Sequence, residues 1–129
     1  MAHVLLIEDE PWLGELYAVL LAREHNVTWC RDGYDAIEHI DRRRPDVIVL
    51  DIMLPWANGI QLLHELASYG DTAKTPVVLF SAAALPRELD DDTLQAYGVV
   101  AKLDKTTVKP NKVLKTVNGI IRVHANDSH

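Results

Sequence analysis

Five short apolar runs punctuate the chain: His3–Ile7, Val27–Cys30, Val47–Leu50, Val77–Phe80 and Val99–Leu103. Each carries β-branched side chains, and the run ending at Leu50, bounded in front by Pro45-Asp46, has the pattern of a strand covered on both faces. Between them, apolar residues recur at three-and-four spacing, as in helices that lay one stripe on a sheet. A first helix is predicted from Pro11 to about Glu24, with Leu13, Leu16, Tyr17, Leu20 and Leu21 inward. A second spans Tyr34 to Arg43 on Ala36, Ile37 and Ile40. A third follows Gly59 on Ile60, Leu62, Leu63 and Leu66, ending near Tyr69-Gly70. A weaker, acidic helix is predicted from Arg87 to Tyr97 around Leu89, Leu94 and Ala96, and a last one opens at Pro110 with Val113, Leu114, Val117, Ile120 and Ile121 inward. Strand–helix alternation of this kind means an α/β fold, a doubly wound five-stranded parallel sheet with helices on both faces and right-handed crossovers. Residues 1–129 read as a single domain, with an ordered core over about 3–123 and a polar, frayed tail from His124 to His129.

Composition narrows the function classes. With 48% hydrophobic and 25% charged residues in 129, the chain is an ordinary globular one. Cys30 is the single cysteine and cannot close an internal disulfide, and the six scattered histidines form no cluster at zinc-site spacing. A cytoplasmic setting is expected, since no leader precedes the first run and no segment approaches the roughly 20 apolar residues of a membrane span. The net charge of −6 argues against direct nucleic-acid binding through a global positive field. Between Lys102 and Arg122, however, six basic residues face one acid, Asp104, so a basic patch sits on an acidic body. A solvated helix face accounts for it equally well.

The chemistry collects where strands end. Glu8-Asp9-Glu10 follows the first run, Asp51 closes the third, Ser81 the fourth, and Lys105 follows the fifth. In open α/β sheets this carboxyl edge is where ligands bind. If the first and third strands are neighbours, Glu8, Asp9 and Asp51 crowd together and repel one another unless a cation intervenes. A hard divalent ion with oxygen ligands is the natural remedy, and Lys105 and Ser81 offer a charge and a hydroxyl to an accompanying phosphate.

Four ordered motifs make this constellation specific: the acidic pair Glu8-Asp9, the D-x-x-L-P-x-x-N-G run from Asp51 to Gly59, Ser81-Ala82 after an apolar strand, and Lys105 seven residues beyond Gly98. Together, and over the whole chain, they resemble the receiver domains of two-component response regulators. The resemblance implies a flavodoxin-like sheet of order 2-1-3-4-5, with Asp51 accepting a phosphoryl group from a histidine kinase or a histidine phosphotransfer protein. It implies that Asp9 and Asp51 hold Mg2+ (Mn2+ as an alternative) directly, Glu8 largely through water, and the Met53 main-chain carbonyl completes the shell. Lys105 and Ser81 then bind phosphoryl oxygens, and small Ala82 leaves room for the group. Such a domain is not an enzyme in the ordinary sense; it assists its own phosphorylation and dephosphorylation.

Three departures from that family carry expectations. Glu8 stands where Asp is commoner, Thr106 follows Lys105 where proline is usual, and Lys102 replaces an aromatic. Signalling is therefore expected to use the Ala82–Arg87 loop and the basic face of Lys102, Lys109 and Lys112 to bind a downstream protein, with a phosphorylation-linked dimer allowed. No output domain is read after the last helix, so a stand-alone regulator or phosphorelay shuttle is expected, without nucleic-acid or membrane contact. Nonpolar Met53 and Ala83 favour slow loss of phosphate. A magnesium-dependent phosphatase with an aspartyl nucleophile is the enzymatic alternative, but Met53 stands where its second acid is needed. A flavin or nucleotide carrier is disfavoured by the acidic first loop, and a phosphate-independent degenerate receiver by the completeness of the site. Trp12 and Trp56 flank the acidic turn and the Asp51 loop, as core anchors or as reporters of the site.

Overall fold

The computed structural model describes residues 2–51, 59–68, 75–81 and 89–127. Five strands, β1 (His3–Ile7), β2 (Asn26–Cys30), β3 (Val47–Asp51), β4 (Val77–Ser81) and β5 (Val99–Asp104), alternate with five helices, α1 (Pro11–Leu21), α2 (Gly33–Arg42), α3 (Gly59–Ser68), α4 (Asp91–Ala96) and α5 (Pro110–Asp127). All strand pairs are parallel and the sheet order is β2-β1-β3-β4-β5. Chain direction reverses its spread between β1 and β3, which leaves a crevice above their carboxyl ends.

Strand periodicity explains how one sheet holds two cores. Leu5, Ile7, Ile48, Leu50 and Leu79 point to the face covered by Ala36 and Ile40 of α2, by Leu62, Leu63 and Leu66 of α3, and by Leu94 of α4. Val4, Leu6, Val47, Val49, Val78 and Phe80 point the other way, against Tyr17, Leu20 and Leu21 of α1 and Val113 and Val117 of α5. The three inner strands β1, β3 and β4 are buried at every position. Edge strand β5 alternates, with Val100, Lys102 and Asp104 exposed. Its register opposite β4 slips between Val77 and Val78, and this accommodates one extra residue, Val100.

Several helix boundaries and faces differ from those the spacing predicts. Helix α1 ends at Leu21, not Glu24, because the following amides turn back onto the carbonyls of Ala18, Leu20 and Leu21. Leu16 is exposed, and buried Gly14 takes an inward place, since the Trp29 indole lies where any Cβ on Gly14 would stand. The Arg87 start expected for the fourth helix lies outside the described residues. Leu89 and Asp90 precede that helix, and the Asp90 carboxylate caps it by accepting from the Thr93 amide at 2.8 Å. Ala96, expected inward, is exposed. Helix α5 continues past His124, where a polar tail was expected, to Asp127. Among the described residues, no helix is long and apolar enough to cross a membrane.

Candidate functional site

Glu8 is fixed by its backbone before its side chain does anything. Its N–H donates to the Cys30 carbonyl at 2.9 Å, and its carbonyl accepts from the Trp29 indole N–H at 2.9 Å. The side chain turns into the crevice and is only 2% exposed; that of Asp51, at the end of β3, is 3% exposed. Lys105 reaches both carboxylates from beyond β5, with Nζ 2.7 Å from Glu8 Oε1 and 2.9 Å from Asp51 Oδ2. Phe80, beneath it, has its ring centroid 5.8 Å from the ammonium and is itself braced edge-on by Tyr17 at 4.9 Å.

The turn that delivers Lys105 is built by its neighbours. The Lys105 N–H donates to the Ser81 carbonyl at 2.9 Å, so the ends of β4 and β5 are tied together. Asp104 then folds the chain over: its carboxylate accepts from the Thr106 amide and hydroxyl, and its carbonyl from the Val108 amide. Thr106, one of the departures noted above, is thus a working part of this turn. Both bonds to it hold the Asp104 carboxyl below its usual range. Ser81 is buried at the end of β4, opposite Asp104 in register.

Asp9 is half-buried, and the carboxylate oxygens of Glu8, Asp9 and Asp51 come within 4.8 Å of one another. Three carboxylates against one ammonium leave a formal charge of −2 in a buried crevice. Burial, followed by the neighbouring Asp51, pushes the Glu8 carboxyl up to about 8, with Lys105 opposing the rise. Asp9 is raised for the same two reasons. Burial works against the Lys105 ammonium, but its bonds to Glu8 and Asp51 outweigh burial and leave its pKa raised. With one cation for three acids, burial and like-charge repulsion favour the protonated form of the Glu8 carboxyl. Glu8 Oε2 is buried and finds no hydrogen-bond donor among the described residues. A second positive charge is what this donor set lacks, and all-oxygen donors suit a hard divalent ion.

Glu8, Asp9, Asp51, Lys105 and Ser81, spread over the chain, are therefore gathered at one edge. Met53 and Ala82 lie outside the described residues, as does Trp56. Trp12 is 70% exposed at the start of α1, which excludes it from the core. Lys102 belongs to another face: its Nζ sits 2.8 Å from Asp91 Oδ1 beside an open cleft between α4 and β5. Lys109 and Lys112 are exposed at the start of α5. Sequence reasoning missed the bracing role of Trp29, whose signal was faint: one aromatic in a strand predicted only from its apolar character.

The model of the response regulator receiver domain family matches residues 4–118. The chain is similar to the protein PilH of Pseudomonas aeruginosa, at 27% identity over 125 residues that cover 94% of this chain and 98% of that one. It is 32% identical over 124 residues to the regulatory protein VanRB of Enterococcus faecalis, covering 93% of this chain but 52% of VanRB. The chain spans about half the length of several of the curated relatives it matches. Among solved structures, the receiver domain of Francisella response regulator 1452 superposes with a TM-score of 0.81 at 26% identity, covering 96% of this chain and 99% of that one. A sheet of order 2-1-3-4-5, an acid-lined crevice at its carboxyl edge and a family match over nearly the whole length agree: the chain belongs to the response regulator receiver domain family.

Proposed function

We propose that this domain is a phosphoacceptor switch in the cytoplasm, with Asp51 as the accepting side chain. The observation that carries this reading is the Lys105 ammonium held between Glu8 and Asp51 at 2.7 and 2.9 Å in a crevice with an excess of negative charge. In the transfer, an Asp51 carboxylate oxygen attacks the phosphorus of a phosphohistidine in line. The P–N bond breaks, an acyl phosphate P–O bond forms, and the imidazole departs with the electron pair. Lys105 shifts from the carboxylate to a phosphoryl oxygen, and the Ser81 hydroxyl donates to another. Asp9 and Asp51 would hold Mg2+ directly and Glu8 largely through water; when bound, the ion would neutralise oxygen charge that otherwise repels the donor.

The donor is a histidine kinase or a histidine phosphotransfer protein, and the product is read by a downstream protein. Helix α1 begins directly after the acidic turn and shows solvent an apolar stripe of Trp12, Leu16 and Val19, which are 70%, 37% and 61% exposed. These stand at i, i+4 and i+7, one face of a helix, and suit the apolar side of a partner helix. Output belongs to the Lys102, Lys109 and Lys112 face, with a phosphorylation-linked dimer as one form it can take. The test is incubation with a small phosphodonor and Mg2+, followed by intact-mass measurement. The wild type gains one phosphoryl mass and Asp51→Asn gains none; an equal gain in both ends the proposal.

A further inference from the structure

Histidine spacing along the chain shows no zinc pattern, yet folding brings a second, chemically different donor set together. Cys30 closes β2 beneath α2, where Asp35 and His39 stand four residues apart and so share one side of the helix. A sulfur from Cys30, a carboxylate oxygen from Asp35 and a ring nitrogen from His39 all lie within 4.8 Å of one another. The His39 Nε2 to Asp35 Oδ1 distance is 3.5 Å, long for a hydrogen bond. With Zn–N and Zn–O bonds of ~2.0 Å and Zn–S of ~2.3 Å, neighbouring donors on a tetrahedron stand ~3.3–3.5 Å apart, so the spacing fits two ligands of one ion.

We propose that Cys30, Asp35 and His39 form a second metal site, at the β2–α2 edge of the sheet, for a thiophilic divalent ion of the zinc class. The donor set separates it from the all-oxygen crevice around Asp51: sulfur and imidazole favour zinc-like ions over magnesium. Its burial is graded in the way an ion needs. Cys30 is fully buried, whereas the side chains of Asp35 and His39 are 45% and 37% exposed, which opens a path from solvent and leaves the fourth position to water. The surrounding charge is favourable to a cation. Burial first, then the Asp35 and Asp32 carboxylates, keep the free thiol protonated, so an ion binds there by displacing that proton. On binding, the S–H bond gives way to a metal–sulfur bond and the proton leaves to solvent.

Co2+ is the probe, added to the full chain with Mg2+ in excess to occupy the carboxylate crevice. Because Cys30 is the single cysteine, thiolate-to-cobalt charge-transfer absorption reports this site alone. One equivalent of Co2+ is expected to give that near-ultraviolet band with tetrahedral visible bands, and Zn2+ to erase them. His39→Ala and Asp35→Asn, both at part-exposed positions, are expected to weaken Co2+ binding about tenfold or more, while Asp51→Asn leaves it unchanged. Cys30→Ser abolishes the band if it folds; the two helix variants decide the matter if it does not. Absence of the band in folded wild type, or a band of undiminished affinity in both helix variants, overturns the site.

Discussion

Lys105 is the only ammonium that the described residues place between Glu8 and Asp51, and the crevice depends on it. Lys105→Met strips the counter-charge from two buried carboxylates and is expected to cost about 3 kcal/mol, read by urea unfolding in chelator. Asp51→Asn has the opposite sign: it removes one of the crowded negative charges and keeps the shape, so its melting temperature should rise in chelator. A matching fall in both variants would mean that charge does not set the stability of this pocket. The Glu8 carboxyl adds a pH signature. Its folded pKa of about 8 exceeds the ordinary 4.5, so between these values the folded protein holds a proton that the unfolded chain has released. Stability from this group is therefore lost as pH rises from about 4.5 to about 8. In chelator, the melting temperature of wild type relative to Glu8→Gln should fall across that window, and millimolar Mg2+ should flatten the fall. Equal pH profiles for the two proteins would dismiss the shifted carboxyl.

At the scale of elements, the fold was legible where burial is two-sided and misread where one contact overrides a pattern. The three inner strands follow from unbroken apolar runs, because a strand covered on both faces leaves no room for polar residues, while edge strands β2 and β5 keep enough apolar positions to be read despite their exposed ones. Helix α1 is the instructive exception: its three-and-four spacing put Leu16 inward, yet buried Gly14 sits where the Trp29 indole crosses the helix. A tertiary contact of this sort leaves no periodic trace. The carboxyl-edge acids, Ser81 and Lys105 were legible because each immediately ends or follows a strand, but the distances among them depend on strand order, which spacing alone did not give. The Cys30, Asp35 and His39 set, though it spans only ten residues, was missed for a related reason: the turn from β2 into α2, not a spacing, brings the thiol to the two helix side chains. Gly14→Ala tests the α1 reading. Alanine favours a helix by about 1 kcal/mol over glycine, but here the methyl must displace an indole whose N–H is bonded to the Glu8 carbonyl. Overpacking should win, with a net loss of about 1–2 kcal/mol in urea unfolding and slower phosphorylation as Glu8 shifts.

At the scale of the whole molecule, the proposed input and output faces differ in charge and polarity. Trp12, Leu16 and Val19 make α1 an apolar surface beside the acidic turn, whereas Lys102, Lys109 and Lys112 place cations on the side of β5 and the start of α5. On a body of net charge −6, that basic face is a local inversion of sign, suited to an acidic partner. Lys102 is half-exposed and paired with an Asp91 side chain that is itself 88% exposed, so the pair contributes little to stability and Lys102 can exchange Asp91 for a partner's carboxylate. Two variants should then dissociate the functions. Leu16→Glu puts a charge in the apolar stripe and should slow phosphotransfer from a protein donor by about tenfold, with the rate from a small phosphodonor unchanged. Lys102→Ala should leave both rates intact while weakening capture of the downstream partner, and the weakening should shrink as salt rises, since a rim charge acts chiefly through screened attraction. If Leu16→Glu slows both donors alike, α1 acts on the crevice itself and not as a docking face. If Lys102→Ala binds its target as wild type does at low salt, the output surface lies elsewhere.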